Sequence, residues 1–294
     1  MESSANRLEK LVSSLDHKID FAVIVEVNHA NPNGDPLNGN RPRTDYNGLG
    51  EISDVCLKRK IRDRLGDSGA AIFVQSDDRR SDDARSLRER AEKGLGKDFG
   101  TASMAKRACE IWLDVRAFGQ LFALPAKRGK NKDAEDNGAG DTGVSIPVRG
   151  PVTVQSAFSV EPVDVTSIQI TKSVSGEGDG SKRGTDTMGM KHRVDKAVYV
   201  FYGSMNPQLA ERTGFSNADA DAIKAVLPKL FENDASSARP EGSMEILKVL
   251  WWKHNSKAGQ FSSAKVHRSL KINADGTYSL LSLDGLTPEI IDGF

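Results

Sequence analysis

The chain has 294 residues, of which 37% are hydrophobic, so it can bury a sizeable core in one large domain or two small ones. Lysine plus arginine and aspartate plus glutamate both number 41, and this balance excludes nucleic-acid binding by bulk attraction alone, although a local basic patch stays possible. Cys56 and Cys109 form no CxxC pattern and are expected to be reduced packing residues. No apolar run could span a bilayer and no signal-peptide pattern begins the chain, so we expect a soluble, cytoplasmic protein without a membrane partner.

The first strong pattern is a strand at residues 19–28, where four apolar residues alternate on one face: Phe21, Val23, Val25 and Val27. The turn-rich sequence NPNGDPLNGN and a basic RPR follow it. A helix is predicted next, because Ser53 or Asp54 can cap it. Its predicted inner face carries Val55, Leu57, Ile61 and Leu65. The opposite face carries Lys58, Arg59, Arg62 and Arg64.

Residues 66–100 are highly charged, and we expect an insertion there that adds nothing to the core. Residues 102–122 return to apolar periodicity, which leaves helix and strand open towards their end. Residues 126–143 have the composition of a mobile loop. Two later strands are predicted at 152–160 and 197–203, and the polar stretch between them is typical of an extended hairpin.

A capped helix is predicted at residues 217–231, with a kink at Pro228. Further elements are predicted at 244–252 and 264–283, with a turn at 273–276 between two short strands. Without the insertions the order is strand, helix, strand, strand, helix, strand, which is the split βαβ order of ferredoxin-like and RRM domains. We therefore predict an α+β fold of a kind that commonly holds single-stranded RNA.

The segment around the first loop suits phosphate binding. Asn33 and Gly34 allow a tight loop that presents backbone N–H groups beside the sheet. Five basic residues could meet successive phosphates: Arg41, Arg43, Lys58, Arg59 and Arg62. The same residues also fit a surface loop beside a solvated basic helix face, and residue types alone leave both interpretations open.

Five stretches, in order along the chain, resemble the backbone subunit of Cascade-type CRISPR surveillance complexes. They are the strand leading into NPNGDP, the helix with DVCLKRKIR, DVRAFG at 114–119, VRGPVTVQSAFS at 148–159 and TMGMKHRVDKAVYVFYGSMNP at 187–207. The version they resemble is that of the I-C subtype, within the RAMP superfamily. The resemblance covers much of the chain.

The resemblance implies a single elaborated domain shaped like a hand. Its ferredoxin-like, RRM-like palm would comprise residues 19–65, 100–160 and 196–294, with a finger insertion at about 66–100 and a β-hairpin thumb at about 163–196. Copies of such a subunit stack head to tail into a helical filament along the spacer of a guide RNA (crRNA), and each thumb displaces one base at a regular interval. Target DNA then pairs with the exposed bases in antiviral defence.

The partners implied are the crRNA, target DNA paired to it, other copies of the chain and further Cascade subunits. Those subunits are one that caps the guide's 5′ end, a large and a small subunit, and a helicase-nuclease recruited later. The resemblance implies no cofactor, no metal and no enzymatic activity for the backbone subunit itself.

On this interpretation the hairpin carries two wedge residues. Met188 and Met190 would press against unstacked bases, with Lys191, His192 and Arg193 on the adjoining phosphates. Lys172 in the same hairpin joins the predicted RNA-binding set. The alternative is that both methionines only fill gaps in a local core.

The remaining predicted contacts lie on the palm. Four residues of the VRGPVTVQSAFS block could bond ribose or phosphate: Arg149, Gly150, Gln155 and Ser156. Phe118 could stack on a base, or could belong to the core with Trp112. Trp251 and Trp252 are predicted to pack, one inward and one at a subunit contact.

Two other functions compete with this one. Asp35 lies in a basic turn, and some relatives in other CRISPR subtypes cut target RNA with an acidic loop residue and a divalent metal, so a metal-dependent endoribonuclease is the alternative. The flanking Gly34 and Pro36 equally suit a structural turn. The five histidines show no metal-binding spacing, and GxSxG and Walker motifs are absent from the sequence. A scaffold that binds no RNA would explain the neutral charge but not the clustered basic residues.

Overall fold

The structure is a computed structural model, and it describes residues 13–124, 144–171 and 188–294. The expected loop at 126–143 and the predicted contact Lys172 lie outside the described residues. Among the described residues, no helix is long and apolar enough to cross a bilayer.

The described residues form a mixed α/β fold. The helices are α1 (Asp54–Asp67), α2 (Leu87–Leu95), α3 (Met104–Ile111), α4 (Leu113–Phe118), α5 (Pro207–Thr213), α6 (Asn217–Val226) and α7 (Ser263–Arg268). The first strands are β1 (Ile19–Ala30), β2 (Gly34–Asp35), β3 (Arg41–Pro42), β4 (Leu49–Ile52), β5 (Gly119–Leu124), β6 (Val144–Arg149) and β7 (Val152–Val154). The later strands are β8 (Ala157–Pro162), β9 (Val165–Thr171), β10 (Met188–Met205), β11 (Met244–Lys253), β12 (Leu270–Ile272), β13 (Tyr278–Leu280) and β14 (Glu289–Asp292).

One large antiparallel sheet organises the chain. Its strand order is β14-β11-β1-β10-β8-β4, and β7 and β9 also pair with β10. Strand β1 lies at the centre, antiparallel to both β10 and β11. Its alternating side chains are buried on both faces: Phe21 and Val23 belong to the core beneath α1 and α6, and Ala22 and Ile24 belong to a separate cluster on the opposite face. The predicted first strand is therefore confirmed as the sheet's central strand.

Helix α1 begins where the sequence predicts. The Ser53 hydroxyl accepts a hydrogen bond from the backbone N–H of Cys56, which caps the helix. Leu57, Ile61 and Leu65 face the sheet and are fully buried. The prediction was wrong for Val55, which is 70% exposed because it lies in the first turn on the outer side.

The prediction for the outer face of α1 was also wrong for one residue, Arg64. Arg64 is buried and donates a hydrogen bond to the carbonyl of Glu232, and its neighbour Lys60 is buried against Asp234. A buried cation is tolerable when it is paired in this way. Both side chains therefore join α1 to the segment that follows α6, and neither is available to solvent.

Two predicted elements have different limits in the structure. Helix α6 is closed at its start by reciprocal hydrogen bonds between Ser216 and Asp219, but it ends at Val226, before the 3₁₀ turn that contains Pro228. The strand predicted at 152–160 is two strands, β7 and β8, because Gln155 and Ser156 interrupt it. The backbone N–H of Gln155 still bonds the carbonyl of Tyr202, so the chain remains beside β10.

Residues 66–122 contain a hydrophobic cluster of their own. Phe73 packs against Trp112 and Phe122, with ring centroids 4.8 and 5.4 Å apart. Ala91 and Leu95 of α2 belong to the same cluster. The expectation that residues 66–100 add nothing to a core was therefore wrong, and residues 102–122 contain both helix and strand.

Asp114 anchors this second cluster to α1. Its carboxylate is fully buried and accepts hydrogen bonds from the backbone N–H groups of Phe73 and Val74 and from Arg62 Nε, at 2.7, 3.0 and 3.0 Å. Hydrogen bonds to a charged group are stronger than neutral ones. One carboxylate thus joins α1, the chain entering the second cluster, and α4.

The second face of the sheet is covered by the end of the chain. Val266 of α7 and Leu270 of β12 pack on Ala22, Ile24 and Trp252. Trp251 stacks on Phe21 in the main core, so both tryptophans are buried within the chain and the prediction of a subunit contact for one of them was wrong. This face of the sheet centre is therefore closed to RNA by the chain's own residues.

A buried polar cluster holds this covering segment in place. The Asp20 carboxylate is inaccessible and lies 2.9 Å from His254 Nε2, 3.3 Å from Lys18 Nζ and 3.6 Å from His267 Nε2. Because the backbone N–H of Gln260 donates to His254 Nδ1, the hydrogen of that ring is on Nε2 and bonds Asp20. Histidine spacing in the sequence gave no sign of this cluster.

Acidification should weaken the cluster. Burial would raise the pKa of Asp20, but hydrogen bonds from His254 and Ser263 and the Lys18 charge outweigh it and hold the pKa below its usual range. Burial lowers the pKa of His267. Both folded-state pKa values lie below the unfolded ones, so the stabilisation is complete above about pH 6.5, the unfolded histidine value, and declines as the pH falls.

We therefore expect the free energy of unfolding in urea to be smaller at pH 5.5 than at pH 7.5. His267→Gln should flatten this difference, because glutamine does not titrate. Equal slopes for the wild type and His267→Gln would contradict the assignment.

Candidate nucleic-acid interface

The first loop is folded back on itself as a small hairpin. Gly34 pairs with Pro42, and Asp35 with Arg41. A Cβ at position 34 would meet the Asn40 side chain, so glycine lets this side chain lie against the loop. The Asn33 side-chain oxygen accepts a hydrogen bond from the backbone N–H of Ser53 at 2.9 Å, so the loop is attached to the start of α1.

Asp35 has structural partners in this loop. Its carboxylate accepts a hydrogen bond from the backbone N–H of Leu37 at 3.2 Å and lies 3.5 Å from the Arg43 guanidinium. In the ranges 13–124, 144–171 and 188–294, no group of three or more His, Cys, Asp or Glu side chains is arranged to hold a metal ion. The geometry fits the turn interpretation of Asp35.

The basic residues of α1 are paired with carboxylates. Lys58 lies 3.0 Å from Asp54 and Arg59 lies 3.3 Å from Asp78. Arg62 is only 13% exposed, bonds Asp114 and covers the ring of Phe118 at 5.1 Å. Phe118 is partly buried against the main core, whereas Trp112 belongs to the second cluster. Of the predicted phosphate contacts on this helix, Arg59 is the most exposed, at 54%.

The predicted palm contacts lie beside α4 and the start of α1. Arg149 is exposed at the end of β6, opposite Gly119. A side chain at Gly150 would collide with the carbonyl of Ala117, so this glycine allows the backbone to approach α4 closely. The Ser156 hydroxyl accepts a hydrogen bond from the backbone N–H of Asp54, at the start of α1.

Strands β9 and β10 form a hairpin ladder that extends beyond the sheet. Met188 pairs with Thr171 and Val194 with Val165 in one continuous register. Residues directly opposite each other in an antiparallel pair share a face. One face therefore carries Met188, Met190 and His192 together with Ser167, Gln169 and Thr171. The other face carries Gly189, Lys191 and Arg193 together with Thr166, Ile168 and Ile170.

The methionines are exposed on this hairpin. Met188 is 67% exposed and Met190 55%, so neither fills a gap within the described chain. Ile168 and Ile170 of the opposite face are also exposed. A two-stranded ribbon has only marginal stability by itself in water. Large apolar side chains exposed together on it are typical of an interaction surface.

Arg41 connects the loop to the methionine face. Its guanidinium donates to Ser167 Oγ at 2.9 Å, and the same hydroxyl lies 2.8 Å from His192 Nδ1. The Ser167 hydroxyl therefore links Arg41 to His192. Arg41 and His192, predicted separately, are thus brought together with Met188 and Met190, whereas Lys191 and Arg193 lie on the opposite face. Sequence reasoning missed Ser167, because only the register of β9 against β10 places it beside His192.

These features define a class: a mixed α/β protein with a large antiparallel sheet, an anchored basic loop and a projecting hairpin with exposed methionines. The family model for CRISPR-associated protein Cas7 matches residues 17–284. The chain therefore belongs to the Cas7 family, the RAMP-like family of CRISPR backbone subunits to which the resemblance pointed.

The chain is also similar to individual known proteins. CRISPR-associated protein Cas7 of Haloferax volcanii is 25% identical over 283 residues, which covers 94% of this chain and 81% of the relative. Among solved structures, a chain of a CRISPR RNA-guided surveillance complex in a pre-nicking state is 16% identical with a TM-score of 0.45, over 80% of this chain and 78% of that one. A chain of another CRISPR RNA-guided surveillance complex is 17% identical with a TM-score of 0.42, over 91% and 77%.

Ser167→Ala should loosen the hairpin without unfolding the protein. The substitution removes the oxygen that Arg41 and His192 share, so amide hydrogen exchange should accelerate in β9 and in the first residues of β10. The global free energy of unfolding should change by less than about 1 kcal/mol, because the hydroxyl is exposed. Ser279→Ala, also on an exposed strand, is the control. Unchanged exchange in the hairpin would show that the contact does not restrain it.

Proposed function

We propose that this chain is a guide-RNA-binding backbone subunit that assembles in several copies, head to tail, along the spacer of a crRNA. The complex would be Cascade-type, of the I-C subtype, in the cytoplasm, and target DNA would pair with the guide. Membership of the Cas7 family supports this proposal. Contacts that are not self-complementary generate an open helix of subunits, which suits a linear RNA.

The palm, in this proposal, is ferredoxin-like. Its support is the strand order β11-β1-β10-β8, with α1 between β1 and β8 along the chain and α6 between β10 and β11. That order is the one a split βαβ fold produces. Residues 66–100 would be the finger, and their own hydrophobic cluster with α3 supports a separate unit.

The hairpin of β9 and β10 would be the thumb that crosses the guide. The observation that carries the proposal is the joint exposure of Met188 and Met190 on the face where Arg41 and His192 meet. Flexible apolar side chains can enter a base step, and neighbouring cations can hold the phosphates on either side of it. Lys191, Arg193 and the predicted Lys172 would bind phosphate from the rest of the hairpin.

The first loop and α1 would follow the phosphate chain with Asn33, Gly34, Arg41, Arg43, Lys58, Arg59 and Arg62. The intramolecular partners of Lys58 and Arg59 do not prevent this role, because exposed ion pairs contribute only about 0–1 kcal/mol and exchange easily. Phosphates could replace Asp54 and Asp78 as their partners. The palm contacts Arg149, Gly150, Gln155, Ser156 and Phe118 would complete the surface. Other Cascade subunits and a helicase-nuclease would be the protein partners.

We expect the purified chain to form RNA-dependent multimers on a guide RNA, measured by mass photometry. Lys58→Ala/Arg59→Ala should weaken assembly and reduce the salt slope of binding, log K against log salt, by roughly 0.7 for each lost phosphate contact. The control Lys106→Ala/Arg107→Ala makes the same charge change on α3. Met188→Ala/Met190→Ala should retain assembly but reduce the fluorescence of 2-aminopurine placed at displaced positions. A chain that stays monomeric and does not bind added guide RNA would contradict the proposal.

The alternative of a metal-dependent endoribonuclease acting on target RNA through Asp35 has its own test. Target RNA is incubated with the guide-loaded chain and Mg²⁺, beside Asp35→Ala. The hydrogen bond to Leu37 and the ion pair with Arg43 give Asp35 a turn role, so we expect no cleavage by either protein. Cleavage by the wild type that Asp35→Ala abolishes would instead establish the enzyme. Asp45→Ala removes a carboxylate from the next loop and is the control, so any cleavage should survive it.

A further inference from the structure

Oxidisable sulfur is unevenly distributed over this chain. Of the five methionines that the structure describes, Met104 and Met205 are fully buried and Met244 is 6% exposed. Met188 and Met190 are 67% and 55% exposed, and both lie on the hairpin of β9 and β10. Oxidation of a thioether follows its exposure, because the oxidant arrives through solvent. The described methionines that an oxidant can reach without local unfolding are therefore the two on the hairpin.

The two cysteines do not compete for a mild oxidant. Cys109 is buried, and this burial raises the pKa of its thiol to about 11. Cys56 is partly buried on α1, and burial raises the pKa of its thiol as well. The thiolate is the reactive form of cysteine, so both side chains remain protonated and unreactive at neutral pH. A peroxide should therefore act first on the hairpin.

The two exposed methionines share one local environment. They pair with Thr171 and Gln169 of β9 and lie on one face, two residues and about 7 Å apart along the strand. The Gln169 side-chain amide nitrogen lies 3.7 Å from Met188 Sδ, which is a weak acceptor. A sulfoxide oxygen on this sulfur accepts hydrogen bonds far better and would have the same amide beside it. Oxidation would thus hold the Met188 side chain on the ribbon and make the exposed face polar.

We propose that Met188 and Met190 form a reversible oxidation site, at which hydrogen peroxide converts both thioethers to sulfoxides and so stops these side chains from entering a base step. A sulfur lone pair forms the S–O bond with one peroxide oxygen, and the O–O bond breaks. The proton of the transferred oxygen passes to the other oxygen, which leaves as water. Each sulfur is oxidised by two electrons and one peroxide is reduced. A methionine sulfoxide reductase reverses the step with a dithiol as reductant, which becomes a disulfide while water is released.

Selective oxidation depends only on the exposure of the two sulfurs, whereas its effect on RNA rests on the proposed function. A methionine inserted between bases is covered, so a bound guide RNA should protect both sulfurs. A sulfoxide would have to lose its hydration there without gaining a hydrogen bond, which is unfavourable. The oxidation state of the hairpin would therefore control base displacement, and bound RNA would in turn limit oxidation.

The first arm of the test treats the full chain without RNA with hydrogen peroxide and follows oxygen uptake by peptide mass mapping. Met188 and Met190 should be oxidised at least about tenfold faster than the three buried methionines, which react only after local opening. Equal rates at the exposed and buried methionines would overturn the site. Oxidation of Cys56 before the hairpin methionines would overturn it too.

The second arm compares oxidised and untreated chains on a guide RNA with 2-aminopurine at displaced positions. Oxidation should lower the fluorescence severalfold, and sulfoxide reductases of both stereospecificities with dithiothreitol should restore it. Met188→Leu/Met190→Leu has no thioether at either position, so peroxide should leave its signal where it started. The control Met244→Leu should stay sensitive to peroxide. An unchanged signal from the fully oxidised wild type, or an equal loss in the leucine double variant, would overturn the effect on RNA.

Failure of this site and failure of the proposed function give different results. A bound guide RNA that slows the oxidation of Met188 and Met190 severalfold supports both. If the wild type binds no guide RNA but its hairpin methionines are still oxidised first, the proposed function fails and the oxidation site stands. If guide RNA binds and leaves both oxidation rates unchanged, the two methionines do not enter base steps and the effect on RNA is overturned.

Discussion

Strand β10 is antiparallel to β1 from Met205 to Val194 and continues beyond the end of β1 to Met188. The two faces of β1 pack in different clusters, so a slip of one residue would exchange Phe21 and Val23 with Ala22 and Ile24 and disrupt both clusters. The core therefore fixes the register of β10, and this register decides which hairpin residues share a face. Because β10 is continuous from the core to the hairpin, the position of Met188 and Met190 depends on apolar packing at Tyr199 and Phe201.

Ion pairs occupy several of the basic residues of this chain and leave Arg41 as an exception. Many cations of α1 and of the second cluster are held by carboxylates: Arg62 by Asp114, Arg79 by Asp67 and Lys60 by Asp234. These pairs join elements and contribute little to an external field. Arg41 differs, because a neutral hydroxyl is its described partner, so its full charge remains beside His192 and the methionines.

Closure of the second sheet face limits where a polynucleotide could contact this chain. Val266 and Leu270 cover one face of the sheet at Ala22 and Ile24, and the Asp20 cluster holds this covering segment in place. Candidate contacts therefore gather on the first loop, on α1 and on the projecting hairpin. The proposed RNA path therefore lies at the edge of the sheet and not across its centre.

Local chemistry in the sequence determined the first strand, the Ser53 cap, the apolar stripe Leu57, Ile61 and Leu65, and the hairpin arms. Each depends on neighbours within one turn or one strand, where period and capping act directly. Only the tertiary structure decided that Val55 is exposed, that Arg62 meets Asp114, and that Arg41 reaches Ser167 while Lys191 lies on the opposite face. These outcomes depend on contacts between residues far apart in the chain, which no local pattern encodes.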